Sequence, residues 1–75
     1  MTIFAVPVFD ATVIFNDKEL FKGRGAAEGW GQKLAKEIEC ETGVQKVGTG
    51  WAISANYEGE DCLWGIHGQR LKRIN

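Results

Sequence analysis

The feature that most restricts this chain is a change of hydrophobic period partway along it. From Ala26 onward, Ala27, Trp30, Leu34, Ala35 and Ile38 fall on one helical stripe, while Glu28, Gln32, Lys33, Lys36, Glu37 and Glu39 fill the rest of the circumference. That spacing predicts an amphipathic helix over about 26–41, ended by Thr42-Gly43 with Gly43 as a left-handed cap. Gly29 and Gly31 each weaken it by about 1 kcal/mol relative to alanine, so its first half should fray or sit close to another backbone. On both sides of this segment the period is two. After it, Val47, Trp51, Ile53, Ala55 and Tyr57 share one face of a strand over 44–57, with Lys46, Gly48, Gly50, Ala52, Ser54 and Asn56 on the other. Glu58-Gly59-Glu60-Asp61 turns the chain. Cys62, Trp64 and Ile66 then face the core, opposite Gly65, His67 and Gln69, so 44–57 and 62–71 form a hairpin. Before the helix, 11–15 and Leu20-Phe21-Lys22 flank a polar turn at Asn16-Asp17-Lys18-Glu19, a hairpin over 11–22. The run Ile3–Phe9 suits extended structure, and Pro7 confines it to an edge; its pairing stays open.

The expectation is an α+β domain in ββ-α-ββ order, a single helix packed on one face of an antiparallel sheet. Its core should contain Trp30, Leu34, Ile38, Trp51, Ile53, Trp64 and Ile66. A chain of 75 residues holds one thin core, so residues 1–75 read as a single domain. Such a core leaves only about 3–5 kcal/mol of net stability, which makes a second copy of the chain, a homodimer partner, one candidate reinforcement. The run Ile3–Phe9 has no preceding base, is followed at once by Asp10 and is too short to cross a bilayer, so the chain reads as cytoplasmic and without membrane contact. Cys40 and Cys62 then stay reduced and unbridged. With the lone His67 they lack both a C-x-x-C spacing and a fourth zinc ligand, and no metal or cofactor is expected.

Few residues carry a catalytic pattern. Gly23-Arg24-Gly25-Ala26-Ala27-Glu28-Gly29 joins a strand to a helix as a dinucleotide-binding loop would, but Glu28 stands where that loop needs a small residue and would repel a pyrophosphate. The segment reads as a flexible joint, with Arg24 and the helix start able to hold at most an isolated anion. His67 shares the outer sheet face with Ser54, Asn56 and Gln69, yet no carboxylate on that face would orient it and an open sheet excludes no water. The chain is therefore read as no enzyme. Gly48, Gly50 and Gly65 mark strand twist and bulges, or else a low-profile surface for a partner's backbone.

Charge is more informative. Residues 37–61 hold six acids and one base, whereas 62–75 hold three bases and no acid, within a net charge of −1. Glu37, Glu39 and Glu41 fall where the predicted helix ends, which disfavours carboxylates by about 0.3–1 kcal/mol each. Glu58, Glu60 and Asp61 form a second cluster. The six are either a solubilising surface or a patch that meets a basic surface on a protein partner, such as one that normally holds nucleic acid. Arg70, Lys72 and Arg73 make the carboxyl-terminal strand basic, and direct nucleic-acid binding through them is the alternative function.

Two hairpins around one helix in fewer than 80 residues, with no catalytic motif, resemble in layout the small phage-encoded inhibitors of bacterial defence nucleases, the anti-CRISPR proteins. The resemblance covers the whole chain in architecture and carries no diagnostic motif. It implies a stoichiometric phage inhibitor, active in the host cytoplasm, that occludes a nuclease or surveillance complex and so evades host defence. Acidic residues opposing a nucleic-acid channel are one way such proteins act. Electrostatics assigns that role here to Glu37, Glu39, Glu41, Glu58, Glu60 and Asp61.

Overall fold

The computed structural model describes residues 10–74 and, as backbone, residues 3–7. Among them the elements run β1 (Ile3–Pro7), β2 (Thr12–Phe15), β3 (Lys18–Phe21), α1 (Arg24–Ile38), β4 (Thr42–Val47), β5 (Gly50–Tyr57), β6 (Glu60–His67) and β7 (Arg70–Arg73). The fold is thus α+β, with one helix and one antiparallel sheet in the order β1-β7-β6-β3-β5-β4, β2 pairing with β3. The ββ-α-ββ order expected from the sequence is corrected to three strands before the helix and four after it. Each long strand expected beyond the helix is a hairpin: Gly48-Thr49 divides 44–57, and Gly68-Gln69 divides 62–71. Positive φ at Gly68 and Gln69 (57° and 62°) and at Glu58 and Gly59 (54° and 81°) is the turn twist that matches right-handed strands. The same chemistry at Asn16-Asp17 closes the expected hairpin over 11–22. β1 lies at the sheet edge against β7, where Pro7 costs no central ladder bond; Val8 and Phe9, the end of the apolar run, lie outside the described residues.

The helix is shifted relative to its sequence reading of 26–41. It starts two residues earlier, with Gly23 as an extended N-cap, and stops at Ile38. The left-handed cap is Glu39 (φ 55°, ψ 40°), not Gly43; the backbone N–H groups of Glu39 and Cys40 both donate to the Ala35 carbonyl. Gly43 instead lies in β4 opposite Ser54. Ala27, Gly31, Leu34 and Ile38 form the buried stripe. Gly31 is where helix and sheet come closest: its carbonyl accepts the Thr42 hydroxyl at 2.9 Å, and a β-carbon there would stand 3.0 Å from that oxygen.

The helix stripe packs with Phe21, Ile53, Ala55, Cys62, Trp64, Ile66 and Leu71 in one core cluster. Of the expected core, Leu34, Ile38, Ile53, Trp64 and Ile66 are buried, whereas Trp30 and Trp51 are only half-buried at its margin. Trp30 donates its indole N–H to Asp10 at 3.3 Å, and the Lys33 ammonium lies 4.3 Å from its ring centroid. An indole tolerates such a margin because one edge is polar.

The sheet is not a simple meander. β5 and β6 pair from Tyr57↔Glu60 to Ile53↔Trp64 and then part, and β3 enters the gap, with Phe21 opposite Trp51 and Glu19 opposite Ile66. Gly50 and Gly65 make room for it. A β-carbon on Gly65 would lie 2.7 Å from the Glu19 carbonyl oxygen, and one on Gly50 2.8 Å from the Leu20 β-carbon and 3.1 Å from the Phe21 oxygen. The backbone that these glycines admit is the chain's own β3.

Candidate functional site: an acidic pole

The direction of each element fixes where the charges go. α1 ends at Ile38, three residues turn the chain, and β4 runs back antiparallel to β5 with Thr42 opposite Ala55. The start of β4 therefore meets the end of β5, beside the Glu58-Gly59 turn into β6. Two acidic segments separated in sequence by the whole β4–β5 hairpin share one end of the molecule. Glu37, Glu39, Glu41, Glu58, Glu60 and Asp61 are all exposed there. Glu37 alone of its trio lies in the helix; Glu39 is the cap and Glu41 precedes β4, which corrects their placement in the last helical turns.

Local contacts moderate this charge without removing it. Asp61 accepts the Asn56 side-chain amide at 3.0 Å across the β5–β6 ladder, and Glu60 lies 3.7 Å from the Arg73 guanidinium. Tyr57 stands between the two segments, its ring edge-on to Trp64 with centroids 6.0 Å apart. Desolvation and the neighbouring Glu58 carboxylate, through a hydrogen bond and its charge, push the Tyr57 phenol above its ordinary pKa. A neutral phenol is thus retained within the acidic end.

The opposite end is cationic and aromatic. Arg24 and Lys46 lie 5.7 and 5.1 Å from the Trp51 ring centroid, and Arg24 pairs with Glu28 at 3.7 Å. The guanidinium read as a candidate anion ligand is therefore occupied by an aromatic face and a carboxylate.

The basic residues of β7 do not share one face. Leu71 is buried in the core, so alternation puts Arg73 on its side, toward Glu60, and directs Arg70 and Lys72 to the other side. His67 and Ser54 are also apart: Ser54 pairs with Leu63, and His67 lies four residues farther along β6, about 13 Å at strand rise. The two thiols make separate contacts, Cys40 donating to the Ile38 carbonyl and Cys62 to the Glu60 carbonyl, both at 3.3 Å. Among the described residues no three His, Cys, Asp or Glu side chains gather as metal ligands, and no helix is long and apolar enough to cross a membrane. No protein-family model, curated protein or solved structure matches this chain.

Proposed function

We propose that the chain is a non-enzymatic, protein-binding module that acts stoichiometrically, through its acidic pole, on a host defence nuclease or nucleic-acid-binding complex in the cytoplasm. The observation that carries this reading is the convergence of two sequence-distant acidic segments on one end of the sheet, with all six carboxylates exposed. A surface of that sign competes with nucleic acid for a basic channel, and it accelerates encounter more than it strengthens the final complex. The layout resemblance to anti-CRISPR proteins points to the same class of target.

The test is functional. Expression in bacteria with active CRISPR immunity should restore plating of a targeted phage, and the immobilised protein should retain the effector nuclease from nuclease-treated lysate. Glu37→Lys with Glu41→Lys should abolish both while leaving the melting temperature equal or higher, because cations near a helix carboxyl-terminus are favoured. Restored plating by the reversed protein, or no relief across a panel of CRISPR types by a folded wild type, would refute the proposal.

A further inference from the structure

Among the described residues β4 pairs with β5 alone, in unbroken register through six consecutive positions. Its outer edge therefore offers a regular row of backbone donors and acceptors, with no proline and no bulge to blunt it. β1, at the other end of the strand order, carries Pro7 and a register shift. A groove separates the β4 edge from the helix row Arg24, Glu28 and Gln32, so whatever joins this strand also meets that row.

We propose that the occupant is a second copy of this chain, its β4 antiparallel to the first about a two-fold axis through Gln45. Three observations select it. First, α1 lies over both β4 and β5: a β-carbon on Gly31 would stand 3.0 Å from the Thr42 hydroxyl oxygen on one strand and 3.5 Å from Ile53 on the other. Joining two β4 edges then sets the two helices two strand spacings apart, about 9.6 Å, inside the roughly 8–10 Å range of packed helices. Second, the helix row is self-complementary. Arg24 and Glu28 are one turn apart, so an antiparallel copy can place Arg24 against the partner's Glu28 and Glu28 against the partner's Arg24.

Third, the strand and the helix row stand side by side at the right level. The Thr42 hydroxyl bonds the Gly31 carbonyl, and Lys46 and Arg24 meet on one Trp51 ring, so the middle of β4, where the axis falls, lies beside the Arg24–Glu28 pair. The two side chains pair with each other within the chain at 3.7 Å, but at 63% and 54% exposure each can exchange that partner for its counterpart on the second copy.

Sedimentation velocity across a concentration series up to near-millimolar protein tests this. The wild type should pass from monomer to dimer. Arg24→Glu and Glu28→Arg should each weaken self-association about tenfold, since each turns two opposite-charge contacts into repulsions. The double swap should recover the wild-type association, because it restores complementarity with the signs exchanged. Circular dichroism verifies that each variant is folded. Independently of charge, Gln45→Cys should give an oxidised intermolecular disulfide, mapped by mass spectrometry to position 45, whereas Val44→Cys should not, since its copies are offset by two residues along the pair. A wild type that stays monomeric throughout, a double swap no better than the single variants, or cross-linking at 44 in place of 45 would overturn the proposal.

Discussion

Alanine at Gly65 and at Gly29 should move stability in opposite directions, for reasons visible in the geometry. At Gly65 the new methyl would meet the Glu19 carbonyl oxygen at 2.7 Å and two carbons of Ile74 at 3.2 and 3.3 Å. A backbone oxygen held in a ladder cannot swing aside as a side-chain tip can, so β3 must move outward by several tenths of an ångström. Overpacking of this kind costs about 1–3 kcal/mol, against a gain of about 0.4–1 kcal/mol from a less flexible unfolded chain. The net loss is about 1–2 kcal/mol. At Gly29, on the exposed side of α1, a β-carbon meets nothing within 4 Å, so the helix propensity and unfolded-chain terms act alone and stability should rise by about 0.5–1 kcal/mol. In a domain of this size 1 kcal/mol is about 4–8 °C in Tm. Thermal and urea unfolding followed by tryptophan fluorescence would read both variants. A Gly65→Ala protein as stable as wild type would mean that β3 does not lie in the gap between β5 and β6.

Other outcomes follow from single sites. Leu34, fully buried on the sheet-facing side of α1, should cost about 2–5 kcal/mol as alanine, most or all of the roughly 3–5 kcal/mol available, so its urea midpoint should fall close to zero. Glu39→Gly should raise Tm by several degrees, since a left-handed φ costs an L-residue about 1–2 kcal/mol and the carboxylate there opposes the helix dipole. The Tyr57 phenol should titrate above its ordinary value of about 10 by phenolate absorbance, and Glu58→Gln should lower the midpoint. Because that folded-state pKa is raised, its contribution to stability is complete below the unfolded value and is lost as pH rises through the folded one. Alkylation without reductant should label half-buried Cys40 in the native protein and Cys62 only on unfolding; failure of both to label in denaturant would show a disulfide.

The helix was legible because Ala27, Leu34 and Ile38 keep a 3.6-residue period, and β5 and β6 because Ile53, Ala55, Cys62, Trp64 and Ile66 alternate. The divisions at Gly48 and Gly68 were missed although a signal was present. A two-residue hairpin turn pairs residues whose numbers differ in parity, so core-facing positions switch between even and odd across it. Val44 faces the helix at an even number and Trp51 at an odd one, with Gly48 between; Ile66 and Leu71 switch likewise across Gly68. Reading 44–57 as one strand put Val47 on the wrong face for that reason. The entry of β3 between β5 and β6 has no comparable local mark, because Gly50 and Gly65 announce a close approach but not which segment makes it. The acidic clusters were legible as two segments, but their union depends on β4 returning antiparallel to β5, a long-range pairing that charge does not encode.

Local structure gives the acidic pole little in return for its placement. Glu39 occupies a left-handed cap that glycine would take at no steric cost, and Glu37 places a carboxylate in the last helical turn, where Lys36 is the basic residue that offsets the dipole. Together these amount to about 2 kcal/mol, a large share of the roughly 3–5 kcal/mol available to so small a core. At the other cluster Arg73 reaches Glu60 from the core-facing side of β7, so a base from the carboxyl-terminal run reduces repulsion among the acids. That distribution suits a surface whose net sign is retained while its internal repulsion is limited. If recognition is what retains it, stability and binding should respond in opposite senses to the same change at Glu39: the glycine variant gains melting temperature and loses association rate with a basic protein surface. A purely solubilising patch would let stability rise with no loss of binding.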